Sequence, residues 1–232
     1  MRPLYWMLRR AGFVLYKARF MPKGIDWISD IRRASDSATI LIAIDVGANI
    51  GEVSLKMRKA FPEAEIIAFE PSPETYTKLV HRLRGASNIR CEQLGISDSV
   101  GEMHFMHNAN VPVCSSIVDA EQDGSILVKV KTIDEMFGKE GAPIAVIKTD
   151  TEGWDLKVLK GAREVLGRTK WVVSEVCFPP FFGGHQLTDF EEVNEFMVDR
   201  GFSLYGIYDY SHRKNGAIRH CNAMWVNLNL NY

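Results

Sequence analysis

The residues able to do chemistry gather at the ends of apolar runs. Ile40 to Ile44 is short, unbroken and rich in β-branched residues, and it stops at Asp45. That is how a strand buried on both faces reads. Gly47 and Gly51 bracket a turn, and Glu52 to Lys59 follows with helical spacing. Strand, glycine turn and helix open a nucleotide-type site in an open α/β sheet. Small residues let a ligand touch the backbone, and a helix start offers free N–H donors. A dinucleotide fingerprint needs glycines where Asn49 and Glu52 stand, so the spacing argues against hydride transfer. No Lys follows the turn, as a triphosphate loop would require. Asp-x-Gly-x-Asn-x-Gly fits a loop that cradles a small zwitterion.

Glu70 ends the second apolar run. A carboxylate there accepts both hydroxyls of a ribose, having two acceptor oxygens for two donors. A solvated strand end is the plainer alternative, but the glycine turn favours a nucleoside. Gly95 and Ile96, ending a third strand, would lie near an adenine. Ser72 is an N-cap ahead of Pro73 and stands beside Glu70 on the cofactor side. Asp150 and Glu152 follow the run Pro143 to Ile147, and their separation by two puts both side chains on one side of an extended backbone. The alternative for Asp150 is a cap on the following helix. Lys148 either touches substrate or forms an ion pair. His185 follows Gly183-Gly184 in a loop on the same edge, as a base or substrate contact; an exposed loop histidine is the alternative. His104 and His107 point to opposite faces of a strand, and the two carboxylates lack a third ligand, so no metal is expected.

Those residues need a scaffold of alternating strands and helices. Ala64 to Glu70, Asn88 to Leu94, Pro143 to Ile147 and Lys170 to Val176 read as further strands, with helices over Thr75 to Arg84 and Trp154 to Leu166. Gly101 to Asn108 and Ile126 to Thr132 read as a β-ribbon around a long loop, Ala109 to Gly124, of the kind that is often functional. Thr188 and Glu191 form a capping box for a helix running to Arg200. Phe202 to Tyr208 and Ala223 to Leu228 read as two last strands. The whole is one α/β domain over 38–232 behind a helical extension over 1–37.

Composition agrees. The chain has 232 residues, 46% hydrophobic and 25% charged, with net charge −1. That balance gives no bulk electrostatic reason for nucleic-acid binding. Cys91, Cys114, Cys177 and Cys221 are far apart and without C-x-x-C, as in reduced thiols of a cytoplasmic protein. In the first 37 residues apolar positions are punctuated by Arg9, Arg10 and Lys17, which excludes a spanning helix. The segment reads as a helix packed on the core or on a second copy, or as a basic helix lying on a membrane surface. Ile25 to Arg33 reads as a further short helix.

Five stretches together resemble the FkbM-type methyltransferases: Asp45-Val-Gly-Ala-Asn-Ile-Gly51, Phe69-Glu-Pro71, Val130-Lys-Thr-Ile-Asp134, Ile147-Lys-Thr-Asp-Thr-Glu-Gly153 and Val158-Leu-Lys-Gly-Ala162. The resemblance covers roughly Ile40 to Asn227 and departs at Asn222, where members often carry Asp. It implies a Rossmann-like class I methyltransferase fold, with a mostly parallel seven-stranded sheet and helices on both faces. It also implies S-adenosylmethionine as cofactor. Backbone of Gly47, Ala48, Asn49 and Gly51 would hold its methionine end, Asp45 would orient it, and Glu70 would hold the ribose. The acceptor would be a hydroxyl on a sugar, glycan or natural product. One of Asp150 and Glu152 would take its proton and the other would orient a ligand. The alternatives are a nicotinamide-type oxidoreductase or epimerase, and a non-catalytic nucleoside-binding protein of the same fold.

Overall fold

The computed structural model describes residues 7–8, 10–11, 22–35, 41–106, 116–118, 123–138, 141–179 and 188–230. Each apolar run ended by an acid is a strand of one sheet. β1 (Ile42–Val46), β2 (Glu65–Phe69), β3 (Ile89–Glu92), β8 (Ile144–Thr149) and β9 (Thr169–Cys177) are parallel. β11 (Ile218–Asn227) runs against β9, and β10 (Phe202–His212) against β11. The order is β10-β11-β9-β8-β1-β2-β3. Six strands therefore point one way, the mostly parallel seven-stranded sheet expected.

Alternate residues of these strands feed cores on the two faces. Ile44, Ile67 and Ile147 pack with Val158, Leu159, Val193 and Met197 of α5 (Asp155–Lys160) and α6 (Phe190–Val198). Ala43, Ile66 and Val146 pack on the other face with α1 (Trp27–Ala34) and α2 (Glu52–Ala60). The short helix expected before the core is α1. It buries Trp27, Ile28 and Ile31, and its buried Asp30 accepts from the Tyr208 hydroxyl at 2.8 Å. Among the described residues no helix is long and apolar enough to cross a membrane.

The chain order reverses at β1, which lies between β2 and β8. Ligands of open α/β sheets bind outside the strand ends at such a switch point. The topology thus sets the ends of β1, β2, β8 and β9 along one crevice.

Five local expectations change. The third strand stops at Glu92. Gly95 and Ile96 leave the sheet as β4 (Gly95–Ile96), pairing with β7 (Ser125–Lys131) in a second sheet ordered β4-β7-β5-β6, with β5 (Gly101–Met106) and β6 (Ser116–Val118). A side chain at Gly95 would stand 2.8 Å from Val130, so only glycine permits the pairing. The expected ribbon is therefore part of a small sheet, and most of Ala109 to Gly124 lies outside the described residues. The expected helix Trp154 to Leu166 ends at Lys160, where the Gly161 carbonyl accepts from the Asp134 amide and the Glu164 and Val165 amides donate to the Asp134 carboxylate. α6 is capped by Asp189, which accepts from the Glu191 and Glu192 amides, while Thr188 donates to Asp155 instead. Finally, β10 and β11 run longer than expected, to His212 and from Ile218, which carries their connecting turn to the crevice edge.

Candidate active site

The turn after β1 is held by its neighbours on both sides. Gly47, Asn49 and Gly51 all adopt positive φ. The Gly47 and Ala48 amides donate to the Phe69 carbonyl at 3.0 and 2.9 Å. Opposite them, a Cβ on Gly47 would lie 2.0 Å from the Asp150 carbonyl oxygen. The absence of that carbon lets Asp45–Gly51 press against Lys148–Gly153, joining two motifs far apart in sequence.

Glu70 is 6% exposed. One oxygen accepts from the Asn49 amide at 3.0 Å, the other from the Ser72 amide at 2.9 Å. Burial pushes its pKa to about 7 against those two bonds. Ser72 also caps α3 (Pro73–Leu83) as expected, accepting from Thr75. Asp45 is 1% exposed and accepts from the Ser54 hydroxyl. Burial raises it to about 6, while Ser54 and Lys148 pull the other way. Ile96 lies in the core cluster and Gly95 is buried against β7, so the structure sets them in the second sheet rather than at a strand end of the main one.

Beyond β8 the backbone does not stay extended, as the spacing argument assumed. Glu152 has φ 53 and Gly153 φ 100. The carboxylates converge all the same. Oxygens of Asp150, Glu152 and Glu175 lie within 4.8 Å of one another. Asp150 does not cap α5, whose N-cap Trp154 makes no side-chain cap bond. Lys148, 1% exposed, takes the ion-pair alternative: its Nζ donates to Asp150 at 3.2 Å and to the Thr149 carbonyl at 2.7 Å. Burial disfavours its charge, but Asp150, Asp155, Glu175 and Asp45 together hold its pKa above the ordinary value. Phe178 stacks on Phe190, and the Trp154 indole donates to Ser97. His185 lies outside the described residues.

Sequence reasoning missed two members. Glu175 stands in β9 one residue past Ser174, whose register partner is Thr149. A lone carboxylate inside the run Trp171 to Phe178 was the available signal. Glu175 also supplies the third carboxylate whose apparent lack removed the case for a metal. His220 arrives from β11, with Nδ1 3.1 Å from Glu175. Burial, then Asp150 and Glu152, raises Glu175 to about 9; burial and Arg219 lower His220. Both shifts favour the uncharged forms of this contact.

These shifts make stability pH-dependent. Glu70 and Glu152 sit at about 7 and Glu175 at about 9, all above their unfolded values. A raised acid favours the fold below its unfolded pKa, and that contribution is lost as pH climbs through the folded pKa. Each retained proton costs about 1.4 kcal/mol of stability per pH unit in the window. Melting of the ligand-free protein is therefore expected to fall steadily from pH 5 to 9, with Glu175→Gln flattening the alkaline half. A melting temperature flat across that range would contradict the assignment.

The Methyltransferase FkbM domain model matches residues 45–204. Methyltransferase sdnD of Sordaria araneosa is 32% identical over 155 residues, 52% of this chain and 60% of that protein. Hexuronic acid methyltransferase AglP of Haloferax volcanii is 29% identical over 174 residues, 69% of this chain and 71% of that one. The crystal structure of Methyltransferase FkbM from Methylobacillus flagellatus has a TM-score of 0.54 at 19% identity, covering 81% of this chain and 44% of that one. The chain thus spans well under the full length of two of these three.

Proposed function

The chain belongs to the FkbM methyltransferase family, and on that premise we propose that it is an S-adenosylmethionine-dependent O-methyltransferase acting on a hydroxyl of a sugar, glycan or natural product. Glu70 carries the reading: a buried carboxylate at the end of β2, fixed by two backbone amides beside a glycine turn. The donor set fits the cofactor. Each oxygen of Glu70 keeps a lone pair for a ribose hydroxyl. The backbone of Gly47, Ala48, Asn49 and Gly51 would take the amino-acid end, with Asp45 orienting it. Ser72 holds Glu70 in place.

When bound, the cofactor supplies an electrophilic methyl on a sulfonium, already a good leaving group. The protein's work is then positioning and proton removal. Asp150, paired with Lys148, orients the acceptor hydroxyl. Glu152, raised to about 7 by burial and its acidic neighbours, takes the proton. A base poised near the working pH suits that step. We assign His185 to the acceptor side and the residues ahead of α1 to a peripheral contact, with a second copy or a membrane surface. Widely separated thiols and the ordinary composition support a cytoplasmic location.

One relative supports the acceptor class by name, a hexuronic acid methyltransferase. Net charge −1 gives no general pull toward nucleic acid. Calorimetric titration tests the reading. S-adenosylhomocysteine is expected to bind one to one, and NAD not at all. The reverse pattern would establish the oxidoreductase alternative.

A further inference from the structure

The turn between β10 and β11 stands where an acceptor must enter. β11 runs against β9, so its first residue lies at the edge where β9 ends. His220 is the register partner of Cys177, and the Phe178 amide donates to the Arg219 carbonyl at 3.0 Å. The turn therefore projects past the strand end that carries Glu175.

Its composition is one-sided. His212, Arg213, Lys214, Arg219 and His220 fall within nine residues, and no Asp or Glu follows Asp209 anywhere in the chain. Over the whole chain acids and bases nearly balance, with 29 carboxylates against 28 cations. The turn is also fixed in place. The Arg213 amide donates to the Ala217 carbonyl at 2.7 Å, and its guanidinium donates to the Phe178 carbonyl. A solvated basic face has no need of that tether to the acidic strand end.

Arg219 joins the turn to the reacting centre. Its guanidinium is exposed, with Nε 3.4 Å from the Ser211 hydroxyl and a terminal nitrogen 3.0 Å from His220 Nε2. His220 Nδ1 in turn meets Glu175. An Arg donor at Nε2 fixes the imidazole proton on Nδ1, facing Glu175. Among the described residues neither Lys214 nor Arg219 meets a carboxylate.

The acids nearby form a separate, deeper group. Facing Glu175 and His220 are Asp150, Glu152 and Lys148 from the β8 side, Asp155 from α5, and Arg219 from β11. Lys148 pairs with Asp150 inside the cluster. Lys214 and Arg219 stand exposed at its rim.

The geometry points to an acceptor that carries a negative group of its own, a carboxylate or phosphate on a sugar, gripped by Arg219 and Lys214 while its hydroxyl faces the carboxylate cluster. A guanidinium matches either anion with two parallel N–H bonds, which a neutral sugar cannot return. This rests on the methyltransferase reading, since it names what that site receives.

The test uses the full chain saturated with S-adenosylhomocysteine at physiological salt. Glucuronate, glucose 6-phosphate and glucose are titrated in turn, following heat and the ring signals of His212 and His220. At least one acid is expected to shift His220 and to bind about tenfold or more tighter than glucose, the ratio one charge-assisted bond supplies. Which acid does so separates carboxylate from phosphate. Arg219→Gln and Lys214→Gln together are expected to bring the ratio below about twofold. No shift with either acid, glucose binding as tightly as the acids, or an unchanged ratio in the double variant overturns the assignment. An RNA hairpin binding more tightly than both acids and moving the same signals overturns the sugar class. Failure of S-adenosylhomocysteine to bind at all instead removes the methyltransferase reading beneath it.

Discussion

Glu70→Ala is expected to weaken S-adenosylhomocysteine binding by roughly two orders of magnitude or more. A hydrogen bond to a charged group contributes about 1.5–3 kcal/mol, and the side chain offers one free lone pair per oxygen to each ribose hydroxyl. Two such bonds exceed the 2.8 kcal/mol or so that a hundredfold change represents. The loss reaches beyond the ribose. Glu70 is also the acceptor for the Asn49 and Ser72 amides, so its removal loosens the glycine turn and the start of α3 together. Glu70→Gln keeps one carbonyl oxygen but turns an NH₂ toward one of those amides. It should fall between the two, at roughly tenfold. The titration of Glu70 adds a sign. The bound diol prefers the ionised form, and the empty site holds the pKa at about 7. Affinity should therefore fall as pH drops below 7 in the parent and be flat in Glu70→Gln. Calorimetry at pH 6 and pH 8 measures both. An unchanged dissociation constant in Glu70→Ala, with an intact melting transition, would remove Glu70 from the cofactor site.

The fold was legible in the sequence where a single strand carries its own signal. A strand buried on both faces must be apolar throughout, and a carboxylate can end it only where the sheet opens to ligand. Asp45, Glu70 and Asp150 obey that rule, so three corners of the site could be read from one-dimensional pattern. Glu175 broke it. It lies within an apolar run, and its partners come from β8, from the loop after it and from β11. Only the registers Thr149–Ser174 and Asn222–Glu175 bring them together. His220 was hidden for the same reason. Local chemistry also misled where two candidates stood side by side. Thr188 and Asp189 can both cap α6; burial next to Asp155 draws Thr188 away and leaves the cap to Asp189. The end of α5 at Lys160 could not be seen from Gly161 alone, since the groups that take up the backbone there belong to Asp134, well back in the chain.

Gly47→Ala should be among the most damaging single methyls at the described residues. Its φ of +78 lies where an L side chain costs about 1–2 kcal/mol. The added carbon would stand 2.0 Å from the Asp150 carbonyl oxygen and 2.9 Å from its carbon. Both are backbone atoms at the end of β8, so no rotamer change relieves the overlap. The turn must instead lift off β8, straining the Asp150 amide bond to the Val46 carbonyl and the bonds of Gly47 and Ala48 to Phe69. Overpacking of this kind costs about 1–3 kcal/mol before any bond is lost. A total of roughly 3–5 kcal/mol is a large part of the 5–15 kcal/mol that holds a domain together. At about 2–4 °C per kcal/mol for a chain of this size, melting should drop by roughly 10 °C or more. Gly51→Ala separates the two causes. It has nearly the same φ, +85, but its nearest neighbours are methyl tips of Leu79 and Leu83, which can move. It should cost about half as much. Gly85→Ala, with nothing within 4 Å and no positive φ, should change melting little. The order Gly47, Gly51, Gly85 in thermal melts identifies the contact with Asp150 as the cause. Equal losses at Gly47 and Gly51 would assign the damage to backbone conformation alone and leave the junction of the two motifs without energetic weight.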